Sequence, residues 1–172
     1  GEGEQRTEVS LFDADKKKVC DLHCSPSPLT FTSTLAARAW SAEDPYLYTL
    51  VIKKGDDIRM RRIGFKEQKI VGNVFTVNGK AVKLHGVNRH ECSVEGGRTI
   101  TLEDMVKDVT LFKRYNIDTV RTSHYPNDPY FYHLCERYGI YVQAEANVES
   151  HGMGIREEGL RRNPQWRDAI VE

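Results

Sequence analysis

After residue 84 the chain alternates strand and helix periodicities, and this alternation limits its possible folds more than any other feature. Residues 84–90 read as a strand. A loop then leads to Thr101, which with Asp104 makes a capping-box-like helix start, and Leu102, Met105, Val106, Val109 and Phe112 recur at helical spacing until Asn116. Residues 119–124 (TVRTSH) form the next strand. Asp128-Pro129 then supplies an N-cap with proline at the first helical position. Phe131, Leu134, Cys135 and Tyr138 line the apolar face of that second helix, and Gly139 is a left-handed terminator. A third strand starts at Tyr141. Strands joined by helical crossovers pair in parallel, and parallel sheets carry their functional groups at the carboxyl ends of the strands.

The first part differs. Residues 1–68 read as all-β: VSLF, a Lys-rich turn DKKK, LTFTSTL, YLYTLVIKK, the turn GDD and IRMRRIGF. Pro26-Ser27-Pro28 breaks the pattern, and residues 40–45 (WSAEDP) read as an ordered loop before a strand. Four or five strands are expected, fewer than the seven or so of a complete immunoglobulin-like sandwich. Between the two parts, VFTVNGKAVKLHGV holds two apolar runs joined by Asn78-Gly79, a strong hairpin signal because both positions tolerate positive φ.

Composition removes some functions. Lys+Arg and Asp+Glu both number 25, so there is no basic field of the kind nucleic acid or an anionic membrane needs. No apolar run approaches the roughly 20 residues of a membrane span, and the N-terminal GEGEQRTEV carries no apolar signal region. Cys20 and Cys24 are too close for a useful disulfide and match no common zinc spacing; all four cysteines, with Cys92 and Cys135, read as reduced.

The stretch YVQAEANVESHG puts Tyr141, Gln143, Glu145, Asn147, Glu149 and His151 on one face of an extended segment. Such a row is either an exposed edge or a ligand site, since burying it without partners is costly. Strand ends also carry His90, in Asn88-Arg89-His90-Glu91, and His124, in Ser123-His124-Tyr125. Several imidazoles at converging ends favour a site over a structural role. Arg121 shares the inward parity and needs a carboxylate, for which the sequence offers no obvious match. Glu149 and His151, two apart, can reach one cation, and oxygen plus one imidazole suits Mg2+ or Mn2+. Glu145 and Glu149 are not a glycosidase pair, because four residues of strand separate them by about 13 Å, beyond the roughly 5–9.5 Å between carboxyl groups that retaining and inverting mechanisms use.

Together WSAEDPYLYTL, IGFKE, VNGKAVKLHGVNRHE, VRTSHYPNDPYFYHLCERYGIYV and EANVESHGM resemble the β-galactosidases of glycoside hydrolase family 2, over nearly the whole chain. The resemblance implies a partial immunoglobulin-like β-sandwich, residues 1–68, followed by the first three βα units of a (β/α)8 TIM barrel, residues 69–172. It implies a retaining β-galactosidase acting on terminal β-D-galactosides, with Mg2+ and often Na+ near the sugar. Glu149 and His151 match the magnesium ligands, His90 and His124 the histidines that bind galactose hydroxyls, and Arg121 the arginine that orients the nucleophile, which would account for its missing partner.

Two departures stand out. Gln143-Ala144 replaces an apolar residue and an Asp before Glu145, and the acid/base and nucleophile glutamates are expected beyond Glu172. These 172 residues alone are therefore expected to be inactive, with two protein ligands at most for the metal. A half barrel with an open strand edge calls for a partner chain or gives poor solubility. The full-length protein is expected to be a homo-oligomer, or this chain a complementing one, in the cytoplasm or else the periplasm. Two alternatives stay open: a β-glucuronidase-like exo-glycosidase of the same family, and a non-catalytic sugar-binding or complementing subunit.

Overall fold

The computed structural model describes residues 6–26, 29–148 and 163–171, with the backbone alone at 24–26, 29 and 171. The described residues gather into two compact units, Gly1–Val82 and Lys83–Glu172. The hairpin sheet of residues 68–81 falls in the first unit.

In the first unit, β1 (Thr7–Phe12), β2 (Lys18–Asp21), β5 (Tyr48–Lys54) and β6 (Asp57–Ile63) form an antiparallel sheet in the order β2-β1-β5-β6. Val9 and Leu11 are buried on one side of β1, as strand alternation requires. A two-stranded sheet joins β3 (His23–Pro26) to β4 (Leu29–Thr32), across the Pro-Ser-Pro break. Among the described residues the count through Ile63 is thus six strands rather than four or five. The missed ones, β2 and β3, are short, and the sequence KVCD HCSP lacks the apolar alternation that marks a strand.

The WSAEDP loop is ordered as expected, and its contacts show why. Trp40 is buried, its N–H donates to the Phe65 carbonyl at 2.8 Å, and its own carbonyl accepts from Asn78 Nδ2 at 3.0 Å. A Cβ on Gly64 would sit 3.0 Å from the Trp40 side chain, so only glycine lets the indole pack there. Asn78 and Gly79 adopt φ of 51° and 76° between β8 (Val74–Val77) and β9 (Lys80–Ala81), while β7 (Gln68–Val71) completes that sheet.

The second unit follows the strand and helix alternation. β10 (Gly86–Arg89), β11 (Thr119–Thr122) and β12 (Tyr141–Gln143) pair in parallel, in that order, through α1 (Leu102–Arg114) and α2 (Pro129–Tyr138). Thr101 and Asp104 form the full capping box, each donating a backbone N–H to the other's side chain. Asp128 Oδ1 caps α2 by accepting from Tyr130 N at 2.7 Å, and Gly139 closes it at φ 70°. Met105, Val109 and Phe112 of α1 meet Phe131, Leu134 and Cys135 of α2 over Val120 and Ile140. Leu102, expected on the apolar stripe, is 58% exposed, because the first helical position lies at the rim of the core. A 3-10 turn, Pro164–Trp166, runs into α3 (Arg167–Val171).

The polar row at residues 141–151 is shorter as a strand than its alternation suggests. Ladder pairing with β11 stops at Gln143, opposite Arg121. No helix among the described residues is long and apolar enough to cross a membrane.

Candidate functional site

Parallel register brings the chemistry to one end of the β10-β11-β12 sheet. Arg121 of β11 lies between Asn88 of β10 and Gln143 of β12, so Glu145, two residues past Gln143 on the same parity, falls beside it. Arg121 Nε donates to Glu145 Oε1 at 2.6 Å and Nη2 lies 2.5 Å from the same oxygen. The guanidinium therefore has its carboxylate within the chain, contrary to the sequence expectation. The pairing depends on neighbouring-strand register, which spacing along one strand does not display.

His124 joins this pair. Its Nδ1 lies 3.1 Å from Glu145 Oε2 and 3.2 Å from Arg121 Nη2. Glu145 N donates to Thr122 Oγ1 at 3.1 Å, which holds the chain on course after the ladder ends. Burial pushes the Glu145 carboxyl up, but the hydrogen bonds from Arg121 and then His124, with their charges, outweigh it and hold the group below the usual carboxylate range. The Arg121, His124 and Glu145 side chains keep 32%, 41% and 24% of their exposure, so the cluster is ordered yet open to a ligand.

His90 lies at the end of β10 and meets His124 edge to face, ring centroids 5.5 Å apart. Tyr125 is the next ring, 6.4 Å from His90, with its hydroxyl accepting from Glu91 N at 3.0 Å. Three sequence candidates, His90, His124 and Arg121, are thus brought together, and Glu145 is added to them. Glu149 and His151, the metal candidates, lie outside the described residues. Among the described residues no group of three or more His, Cys, Asp or Glu is placed to hold a metal ion.

Behind this face sits a second arginine that the sequence reading passed over. Arg89 is 5% exposed; its Nε donates to Asp108 Oδ2 at 2.9 Å, its Nη1 donates to Asn127 Oδ1 at 2.6 Å, and its guanidinium carbon lies 3.9 Å from the centroid of the Phe131 ring. Glu91 Oε1, 3.6 Å from Nη1, also accepts from Asp128 N at 2.8 Å at the start of α2. The available signal was parity: Arg89 shares its face of β10 with Val87, which packs against the helices, while Asn88 lies on the Arg121 side.

Residues 68–172 match the family model described as "Glycosyl hydrolases family 2, TIM barrel domain". A β-galactosidase of Halalkalibacterium halodurans is 42% identical over 153 residues, covering 84% of this chain and 15% of that protein. A β-galactosidase of Priestia megaterium is 39% identical over 186 residues, covering 96% of this chain and 18% of that protein. Among solved structures, a β-glucuronidase of Faecalibacterium prausnitzii superposes with a TM-score of 0.76 at 33% identity, covering 84% of this chain and 24% of that one. This chain thus spans less than a fifth of the length of those two curated relatives. With well over half of its residues on the family model, the chain belongs to glycosyl hydrolase family 2, of which it carries part of the TIM barrel domain.

Proposed function

We propose that the parent protein hydrolyses terminal β-D-galactosides, lactose among them, with retention of configuration, and that this chain supplies one wall of the sugar pocket. The observation that carries the proposal is the meeting of His90 and His124 beside the Arg121–Glu145 pair, on an open polar face at the carboxyl ends of parallel strands. Imidazoles donate to or accept from sugar hydroxyls, and an edge-to-face pair presents two ring nitrogens in different directions.

Arg121 supports the nucleophile in this reading, with its charge already shared by Glu145; the donor facing away is Nη1, 3.4 Å from Asn88 Oδ1. The acid/base and nucleophile glutamates are assigned to the rest of the parent protein, so these 172 residues alone are inactive. Glu149 and His151, one carboxylate and one imidazole, suit Mg2+ as two of its ligands, and the ion would supply positive charge beside the sugar. The architecture proposed for the whole is an immunoglobulin-like sandwich leading into a complete (β/α)8 barrel.

A β-glucuronidase activity is the second reading, because the solved neighbour bears that name. Two points favour the galactoside: the curated β-galactosidases share 39–42% of aligned residues, and a uronate needs an uncompensated cation, whereas Arg121 is held by Glu145. Proton NMR of galactose release by the full-length protein tests the stereochemistry. β-Galactose appearing first is expected, and α-galactose appearing first would overturn the retaining mechanism.

A further inference from the structure

We propose that Tyr125 is a positioning residue that acts through the backbone of the neighbouring loop to aim His90 at the sugar; this rests on the strand-end face being the sugar wall proposed above. Tyr125 follows β11 and His90 follows β10. The Tyr125 hydroxyl accepts from Glu91 N at 3.0 Å. That amide belongs to the peptide joining His90 to Glu91, and a peptide unit is planar, so holding its N–H holds the rotation of the chain just after the His90 Cα.

The tie is returned. Glu91 sends its own side chain to the other loop, where Oε1 accepts from Asp128 N at 2.8 Å. Each loop thus supplies the acceptor for a backbone donor of the other. The tyrosine's own loop is anchored in the packed layer through Asn127, which is 5% exposed. Asn127 Oδ1 accepts from Arg89 Nη1 at 2.6 Å, its Nδ2 donates to the Tyr125 carbonyl at 3.4 Å, and its N donates to the Tyr132 hydroxyl on α2 at 2.8 Å.

His90 depends on such support. It is exposed, and among the described residues its ring makes no hydrogen bond; its ring neighbours are His124 at 5.5 Å and Tyr125 at 6.4 Å between centroids. A side chain so placed is aimed by the backbone that carries it. Hydrogen bonds weaken steeply away from good geometry, so a loosened peptide at residues 90–91 costs sugar binding even with His90 intact.

The test is a double-mutant cycle on full-length protein with 4-nitrophenyl β-D-galactoside, pairing Tyr125→Phe with His90→Ala. Tyr125→Phe keeps the ring and removes only the acceptor. In the wild-type background it should raise KM about fivefold, the scale of one net hydrogen bond, with kcat changed less than about twofold. A purely structural loss acts otherwise: it lowers the folded fraction, hence the apparent kcat, and leaves KM alone. In the His90→Ala background the same substitution should leave KM where H90A alone has put it. A KM rise of equal size in both backgrounds, or no rise in the wild-type background, would overturn the proposal.

A second measurement needs no variant. Hydrogen exchange read at the Glu91 amide of wild type by mass spectrometry should be at least about tenfold slower than in an unstructured peptide. Exchange at the free-peptide rate contradicts the proposal even if Y125F does not fold. If wild type hydrolyses no galactoside, the proposed function fails and this inference falls with it, whereas an active wild type with an additive cycle sinks this inference alone.

Discussion

Arg121 and Glu145 stand on neighbouring parallel strands, and the guanidinium reaches one carboxylate oxygen through both Nε, at 2.6 Å, and Nη2, at 2.5 Å. With His124 on the other oxygen, the carboxylate form of Glu145 is favoured in the folded protein and its pKa lies below the ordinary value. A depressed carboxylate stabilises the fold above its unfolded value, about 4.3, and loses that contribution as pH falls through the folded value. Thermal melts of full-length protein should therefore show wild type losing Tm below about pH 4.3 more steeply than Glu145→Gln. Parallel acid limbs would contradict this.

Arg89 gives the larger stability prediction. Arg89→Met keeps apolar contact with Phe131 but strips Asp108 and Asn127 of their donor behind the sheet. Removing one partner of a buried pair costs about 3–5 kcal/mol, and the partly exposed Asp108 places this case near the lower end. Urea denaturation should show the midpoint fall accordingly, whereas a change under about 1 kcal/mol would mean the network carries little.

The thiols should separate by accessibility. Burial pushes the Cys135 thiol up to about 12, against a small opposing pull from the Arg89 charge, so it stays protonated at neutral pH. Cys92 is exposed. Iodoacetamide at pH 8 followed by mass spectrometry should find Cys92 alkylated and Cys135 intact until denaturant is added. Comparable native labelling of both would contradict the packing of α2.

Thr101→Ala tests the α1 start. It removes the acceptor for Asp104 N, and with it the hydroxyl that donates to Asp104 Oδ2. The Asp104 carboxyl, held down first by the Thr101 backbone N–H and then by its hydroxyl, should rise toward its usual range. A loss of about 1 kcal/mol is expected, with faster hydrogen exchange confined to the first turn of α1. Unchanged exchange there would argue against the cap.

The second unit was legible because its signals are local. The Thr101–Asp104 box, Asp128-Pro129, Gly139 and the two apolar stripes each lie within one element, and the parallel pairing follows from them. What escaped was relational. Arg121 finds Glu145 through the β11–β12 register, and Arg89 is buried because its side of β10 faces the helices. β2 and β3 escaped for another reason: their pairing comes from backbone partners while their side chains alternate poorly. His90 and His124 were readable as strand-end imidazoles, but their edge-to-face contact is a product of the fold.

The central claim is a galactoside pocket built partly from His90, His124 and the Arg121–Glu145 pair. The most direct measurement is kcat/KM of the full-length protein on 4-nitrophenyl β-D-galactoside and β-D-glucuronide under the same conditions with Mg2+ present. The account predicts a preference for the galactoside of about a hundredfold or more, since a uronate brings a charge to a face where, among the described residues, Arg121 is already held by Glu145. Equal turnover of the two sugars, or a preference for the glucuronide, would contradict it.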